Sequence, residues 1–424
     1  MNRTFAPATI ASSLVALSGI GIGCADAADW HWDPRVILSG NYDDNYGLEG
    51  GNAQNVSVTG SILDASLHAS MLEPSTRFEV TPRVRAVYYP GQTEFDSNNL
   101  YLESQFQQNW RRANLNVNEL YWSQDVLRSY LPSTVIGTPL GQNSPGADIA
   151  AIRERVRQDL LVLAPQATFD LSPREHLDVQ AQYLDVKYSK TIYNQVQNFK
   201  TYSGSLGLGF AVTAQSNLTV RGIASTLKPA SGSGANTYGA EGGWDTHLSE
   251  RMQAYAKLGF ERTSFDRTQN GQPPVTNQVQ YGKSSATSVS GGLGISRKFV
   301  AYDLFADYSR SVSPDSAGAV VARDDLRVRL EHKFSGRYSG YVGLRGIHQS
   351  ALGNNVGFTG QRYGQAALGV EWRIYRTFSV ISEYAYTTLK DTNALRAAGS
   401  NAVTISLKWE PHRPAEEIGV SVGR

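Results

Sequence analysis

The sequence is poor in cysteine, in charge of one sign and in long apolar runs, and each shortage excludes a class of protein. Its 424 residues include one cysteine, Cys24, so the mature chain predicted below has neither a disulfide framework nor a thiolate metal site. Charged residues make up 18% of the chain and the formal net charge is +1, which leaves no basic field for nucleic acid. Beyond residue 27, no apolar run is long enough for a membrane-spanning helix.

The first residues follow the pattern of a secretory signal peptide. Residues 1–3 include an arginine, residues 6–23 are apolar and small, and residues 25–27 (Ala-Asp-Ala) offer a cleavage site. The sequence therefore predicts a signal peptide at 1–27 and export across an inner membrane. Cys24 is alternatively a lipidation site, although the three residues before it match that pattern poorly.

Period-two alternation of apolar and polar residues dominates the rest of the chain. Leu326, Val328 and Leu330 alternate with Arg327 and Arg329, which places the two sets on opposite faces of a β-strand. A tight turn follows and the pattern restarts, and this unit recurs along almost the whole chain with short turns and long loops in alternation. Such a pattern is typical of a transmembrane β-barrel, with lipid on one side of the strands and water on the other.

The predicted fold class is therefore all-β: a transmembrane antiparallel β-barrel of about 18 strands, with short periplasmic turns and long extracellular loops. The barrel is predicted over residues 28–409, followed by a C-terminal periplasmic tail at 410–424. The first strand is predicted at 35–43, with Trp30 and Trp32 just ahead of it at the membrane boundary. A mean hydropathy of −0.34 is compatible with this fold, because the lumen and the loops dilute the apolar face.

The longest irregular insert is predicted at residues 123–152. Segments of this length without a strand pattern are usually functional loops or disordered. A surface loop is the simpler interpretation, and a constriction folded into the barrel, or a cap, is the alternative.

The two faces of the predicted strands differ in chemistry. The lipid face carries apolar and aromatic residues, with His332 and Ser382 as mild exceptions, and the ionic residues gather on the opposite face. The candidate pore-lining residues are Arg83, Arg85, Glu103, Arg221, Glu241, Lys257, Glu261, Asp303, Asp307, Arg327, Arg329, Glu331, Lys333, Arg345, Glu371, Arg373, Glu383 and Lys408. Their charges either tune solute selectivity or form a mutually neutralising ladder that keeps the wall hydrated. Two groups of basic residues are alternatively basic tracks for acidic sugars: Arg77, Arg83 and Arg85, and Arg327, Arg329, Lys333 and Arg345.

The opening strand RVILSGNYDDN at 35–45 and the repeated hairpins, such as that at 169–189, resemble the outer-membrane β-barrel porins of Gram-negative bacteria. More narrowly, they resemble a group of β-barrel porins often associated with exopolysaccharide export and biosynthesis loci. The resemblance spans essentially the mature chain and implies contact with outer-membrane lipid and lipopolysaccharide. It also implies that the barrel-assembly machinery reads an aromatic residue ending the last strand. Trp409 matches that residue, and the tail at 410–424 departs from a strictly terminal aromatic.

The predicted function is a porin-like channel of the outer membrane, serving polysaccharide export or passive solute diffusion. Polysaccharide and periplasmic export proteins are the partners that the resemblance implies, with no nucleic acid and no cofactor. One alternative is a plugged structural or adhesion barrel without a conducting pore. An outer-membrane hydrolase is the third interpretation; it needs a Ser–His pair, whereas the seven histidines are scattered along the chain. The chain is therefore predicted not to be an enzyme and to hold no metal.

Overall fold

The protein is a single closed β-barrel. A computed structural model describes residues 29–48, 55–126, 155–190, 196–230, 234–265, 284–316, 318–352, 360–391 and 397–411. Within them, 18 antiparallel strands pair in chain order, and β1 also pairs with β18, which closes the ring. The strands are β1 (Asp29–Asp43), β2 (Val58–Leu72), β3 (Thr76–Tyr88), β4 (Ser97–Trp110), β5 (Ala113–Val126), β6 (Val156–Ser172), β7 (Glu175–Tyr188), β8 (Phe199–Thr213), β9 (Ser216–Pro229), β10 (Ala235–Ser249), β11 (Met252–Phe265), β12 (Ser284–Lys298), β13 (Tyr302–Pro314), β14 (Val320–Lys333), β15 (Tyr338–Ala351), β16 (Gln361–Arg373), β17 (Phe378–Asp391) and β18 (Ala398–Trp409). The predicted barrel of about 18 strands is confirmed.

The two ends of the barrel differ in the length of their connections. At the end where β1 begins and β18 finishes, successive strands are joined by two to four residues, as between β4 and β5 or between β14 and β15. At the opposite end every connection is longer, at five residues or more, and the one between β3 and β4 contains a single 3-10 turn, Thr93–Phe95. We call these the turn end and the loop end; in bacterial barrels they face the periplasm and the exterior, respectively. No helix in the described residues is long and apolar enough to cross a membrane.

An outer belt of exposed apolar side chains surrounds the barrel. Its members alternate along each strand with side chains that point inward, as the period-two pattern requires. The belt includes Leu38, Leu63, Val84, Leu206, Val220, Leu258, Phe260, Leu293, Leu326, Leu344, Leu368 and Ile405. Exposed tryptophans and most exposed phenylalanines lie toward the turn end, and exposed tyrosines lie toward both ends. Aromatic girdles of this kind mark the two water–lipid boundaries.

The first strand is longer than predicted. β1 begins at Asp29, so Trp30 and Trp32 lie within the strand rather than ahead of it, and their rings stack at 5.8 Å between centroids. Both lie on the outer face, in alternation with inward-pointing polar residues, so the start of β1 has the same period-two pattern as the other strands. The predicted 123–152 insert is also shorter than expected at its start, because β5 continues to Val126. The signal peptide, the remainder of that insert and residues 412–424 of the tail lie outside the described residues.

Charge is less strictly separated between the two faces than predicted. Glu119 lies opposite Leu163 in the register of β5 and β6, and therefore on the outer face, where the Ser104 hydroxyl hydrogen-bonds its carboxylate at 3.4 Å. Arg310 and Asp324 also occupy the outer face and form an ion pair of 3.0 Å. The expectation that only His332 and Ser382 interrupt the apolar face is therefore wrong. Partners on the same face explain these exceptions, because each charge is hydrogen-bonded by a neighbouring strand.

The assignment of faces predicts that arginine destabilises the barrel at one of two adjacent positions in the middle of β8 and not at the other. Leu206 is 57% exposed and belongs to the outer belt, whereas Ser205 points inward toward Gln180. We expect Leu206→Arg to lower the free energy of unfolding in lipid by about 2–4 kcal/mol, because the guanidinium enters the hydrocarbon layer near its midplane. Ser205→Arg, facing water, is the matched control and should change it by less than about 1 kcal/mol. Urea unfolding in phospholipid vesicles measures both; equal losses would contradict the assignment.

Candidate functional site: the inner wall and mouth

All the predicted pore-lining residues lie on the inner face of the wall. The register shows this strand by strand: Lys257, for example, lies next to Leu258, which is 60% exposed on the outer face. The same alternation places Arg327 inward beside the exposed Leu326. The structure therefore brings the predicted residues together on one surface, distributed over eleven strands from β3 to β18. Their role in conduction stays a prediction.

Several of these charges are neutralised by a carboxylate on the same strand or on a strand one or two positions away. The described ion pairs of the inner face that involve them are Arg83 with Asp64, Arg327 with Asp307 (2.7 Å), Arg329 with Glu331 (3.0 Å), Arg345 with Asp325 (2.9 Å) and Lys408 with Glu371 (3.2 Å). Arg221 and Glu241 face each other in the register of β9 and β10. For the five ion pairs the neutralising ladder is the better description, because each guanidinium or ammonium group contacts a carboxylate.

Two tyrosines extend across a glycine to reach a carboxylate two strands away. The Tyr341 hydroxyl on β15 donates to Glu383 on β17, and its ring passes over Gly369 on β16. A Cβ atom at Gly369 would clash with that ring, so only glycine leaves the ring its place. Tyr255 on β11 likewise crosses Gly292 and donates to Asp307 on β13. These contacts tie the ion pairs of β13 and β14 into a network with their neighbouring strands.

The inner wall on the other side of the barrel is polar but mostly uncharged. We call this region the amide sector; its members are Gln105, Gln107, Asn109, Asn114, Asn116, Asn118, Gln166, Gln180 and Ser205. Gln105 donates to Asn116 at 3.5 Å, and Ser205 donates to Gln180 at the same distance. Amide and hydroxyl groups both donate and accept hydrogen bonds, so this wall suits solutes that carry hydroxyl groups.

The loop end of the lumen is lined by apolar side chains. The mouth cluster consists of Val156, Leu160, Val162, Leu184, Val186, Tyr188, Val196, Phe199, Leu227, Ala235, Val320, Ala322 and Leu352. Two smaller clusters complete the rim. In the first, Leu48, which follows β1, packs with Ile347 and Tyr363. In the second, Tyr46 packs with Tyr89 at 5.3 Å between ring centroids. The chain after β1 therefore turns into the opening, and apolar side chains line much of the mouth beside buried polar residues such as Gln349 and Gln361.

A hydrogen bond joins the segments that follow β7 and β13. The Gln197 backbone amide donates to the Ser316 carbonyl at 3.0 Å, and the Gln197 side chain lies against Gly318, whose φ is +70°. β8 and β13 are five strands apart, roughly 24 Å along the wall at about 4.8 Å per spacing. A contact between their loop ends therefore requires one of the two segments to leave the wall and extend across the mouth.

The carboxylates that pair with the pore-lining arginines and the apolar mouth cluster were not predicted from the sequence. Asp64 and Asp325, which neutralise Arg83 and Arg345, occupy inward positions that the period-two pattern already marked, so that signal was available. The mouth cluster left no such signal. Most of its apolar residues sit at inward positions near strand ends, where the alternation alone does not distinguish a wet wall from a packed one.

No family model matches this chain, and no curated protein is similar to it in sequence. Solved structures similar to it are outer-membrane proteins. The channel DcaP of Acinetobacter baumannii is 10% identical, over 92% of this chain and 99% of that one, with a TM-score of 0.44. The outer membrane protein OpdK of Pseudomonas aeruginosa is 10% identical, over 90% and 98%, with a TM-score of 0.42. The iron transporter FrpB of Neisseria meningitidis (F5-1 variant) is 8% identical, over 91% and 81%, with a TM-score of 0.44.

Proposed function

We propose that this protein is an outer-membrane channel for hydrated, largely uncharged solutes, with saccharides as the class of cargo. The observation that carries the proposal is the inner wall of a closed 18-stranded ring. Side chains do not fill so wide a barrel, so its interior is either a water channel or plugged. Below the apolar mouth, polar and ionic side chains cover this wall, which is the chemistry of a surface in contact with water.

The chemistry of the wall favours neutral, hydroxyl-rich solutes over strongly charged ones. Ion selectivity needs uncompensated charge of one sign. Arg83, Arg327 and Arg345 each form an ion pair with an aspartate, so their charge is compensated. Basic tracks for acidic sugars fit this wall less well, because carboxylates already pair with these arginines. The amide sector offers the paired donors and acceptors that sugar hydroxyls use. The resemblance to porins of exopolysaccharide loci agrees with a polysaccharide that moves outward with the help of periplasmic proteins, and we extend the proposal to that direction.

A plugged barrel is the second candidate, and the mouth favours it. The mouth cluster and the Gln197–Ser316 hydrogen bond close part of the loop end with apolar side chains. If these contacts never open, the lumen is a dead end and the protein has a structural role. The two candidates differ in one measurable property, which is ionic current through the folded barrel.

Planar-bilayer recording of the purified barrel tests the proposal. We expect stable current steps, which neutral maltohexaose added to the turn-end side reduces in proportion to its concentration. The double variant Gln105→Ala/Asn116→Ala removes part of the amide sector and should weaken this block several-fold. Gln108→Ala, on the outer face beside Thr76, is the matched control and should leave the block unchanged. If the well-folded protein gives no current, the plugged barrel is favoured. If the sugar does not reduce the current, the saccharide proposal is refuted.

A further inference from the structure

The barrel wall is open between β12 and β13 near the loop end. These strands pair from Lys298 opposite Asp303 up to Gly291 opposite Arg310, and no further. β12 continues to Ser284 and remains paired with β11, while β13 continues to Pro314 and remains paired with β14. We call the space between residues 285–290 of β12 and residues 311–314 of β13 the wall gap. Within the described chain, the one hydrogen bond that bridges its lower edge runs from the Arg310 Nε to the Val289 carbonyl at 3.2 Å.

The gap exists because the end of the β13–β14 hairpin turns into the barrel. Val320, Val321 and Ala322 are consecutive, and all three are at most 6% exposed. A strand that stays in the wall shows every second side chain to lipid or water, so burial of both faces places this segment inside the mouth. Val312, paired with Ala322, packs against the mouth cluster, and the hydrogen bond from Gln197 to Ser316 holds the tip of the hairpin there.

The gap reaches down into the outer belt. Val289 is 44% exposed on the outer face, and its partner on β11, Phe260, is 60% exposed. Two residues nearer the loop end, Thr287 lies opposite Arg262, at the boundary with the headgroups. An open strand edge at this depth is costly, because a backbone N–H or C=O group without a hydrogen-bond partner is strongly disfavoured in hydrocarbon. Bilayer hydrocarbon alone therefore does not satisfy this edge, and polar atoms must reach it.

The two sides of the gap offer different chemistry. Inside it, Ala286 and Val312 pack against the apolar mouth cluster. At its rim are the hydroxyl groups of Ser285 and Thr287 and the guanidinium of Arg310, whose Nη1 contacts Asp324 at 3.0 Å. An occupant that matches both sides has an apolar chain for the cluster and a polar head for the rim and the β12 edge.

From this arrangement we propose that the wall gap is a lateral passage for a single-chain amphiphile, whose acyl chain moves from the outer leaflet into the mouth cluster. The head group stays at the rim, where it hydrogen-bonds the edge of β12 and contacts Arg310. This route is separate from the axial path through the lumen and does not depend on saccharide transport.

Fluorescence quenching by brominated acyl chains tests the passage. In a Cys24→Ser background, a bimane label is placed by Ala286→Cys, behind the gap. Val289→Cys is the lipid-exposed reference, and Ser225→Cys is the matched inward control, because its strand is paired on both sides. One arm uses vesicles of brominated phosphatidylcholine; the other adds free dibromostearate to unbrominated vesicles. We expect quenching at residue 286 comparable to that at 289 and several-fold greater than that at 225.

The two arms identify the source of the chain, and a cross-linking measurement tests the gap itself. Quenching with dibromostearate supports a single-chain amphiphile; quenching with brominated phosphatidylcholine alone indicates a two-chain membrane lipid and would overturn the single-chain assignment. If residue 286 is quenched no more than residue 225 in both arms, the passage is refuted. Ser288→Cys with Ser313→Cys would become register partners only if β12 and β13 paired three residues beyond Gly291 and Arg310. Ser264 and Ser285 are register partners on β11 and β12, so Ser264→Cys with Ser285→Cys is the reference. If the first pair forms its disulfide as completely as this reference pair, the proposal is also overturned.

Discussion

Replacing Asp307 by alanine is expected to lower the free energy of unfolding by about 3–5 kcal/mol. The Arg327 guanidinium contacts this carboxylate at 2.7 Å, and the two side chains are 7% and 0% exposed. Tyr255 donates a further hydrogen bond from across Gly292. Without Asp307, a buried guanidinium loses the carboxylate that it contacts at 2.7 Å, and a partly buried hydroxyl loses its acceptor. Removing one partner of a buried pair is costly because the remaining charge has already left water.

A partly exposed pair on the same strand provides the control for this experiment. Arg329 and Glu331 contact each other at 3.0 Å, with side chains 28% and 33% exposed, so Glu331→Ala should cost at most about 1 kcal/mol. The double variant Asp307→Leu/Arg327→Met removes both buried charges and should recover most of the loss. Urea unfolding in detergent micelles, followed by tryptophan fluorescence, measures all three. An Asp307→Ala loss no larger than that of Glu331→Ala would show that water reaches this pair.

The strands and their faces were predictable because the signal for both is local. A side chain in a strand alternates between two faces at every residue, so Leu326 and Arg327 disclose their faces without knowledge of any other strand. The same rule placed all the predicted pore-lining residues on the inner face. The start of β1 follows the same rule, because Trp30 and Trp32, predicted to lie ahead of the strand, alternate with Asp29 and His31 within it.

The mouth and the wall gap were not predictable because they depend on contacts between distant strands. Val312 and Ala322 occupy the same register positions as outer-belt residues, yet they are packed against apolar side chains of the mouth cluster. Alternation describes a strand that remains in the wall, and nothing in the pattern states where a strand leaves it. The departure becomes visible only in the register of β12 with β13, which stops at Gly291. The sequence alone also does not identify the acceptor of the Gln197 amide.

The mouth contacts suggest that the hairpin tip acts as a gate. Its buried side chains are small or aliphatic, and Val196 at the opposite side of the contact is 1% exposed. Apolar constrictions in channels close by excluding water, and small displacements of their walls reopen them. If this gate controls conduction, fixing the Gln197–Ser316 contact must hold the channel closed, and disrupting it must hold the channel open.

A disulfide between Gln197→Cys and Ser316→Cys is therefore expected to reduce the current several-fold, and a reductant is expected to restore it. The backbone hydrogen bond of 3.0 Å between these residues brings their Cα atoms within the range that a disulfide spans. Thr226→Cys with Asn236→Cys, outer-face partners on β9 and β10, is the control and should leave the current unchanged on oxidation. Planar-bilayer recording under oxidising and reducing conditions compares the two pairs.

Disrupting the apolar packing of the mouth cluster should open the same gate. Val196→Asp places a carboxylate in the mouth cluster, where an unpaired charge is far more costly than in water, so the tip is expected to leave the mouth. The open probability of the Val196→Asp channel should exceed that of the unaltered protein. Maltohexaose should enter this variant from the loop end as readily as from the turn end. If the oxidised Gln197→Cys/Ser316→Cys variant conducts as well as the reduced one, and Val196→Asp changes nothing, then solutes pass around a fixed hairpin and the mouth is a permanent filter rather than a gate.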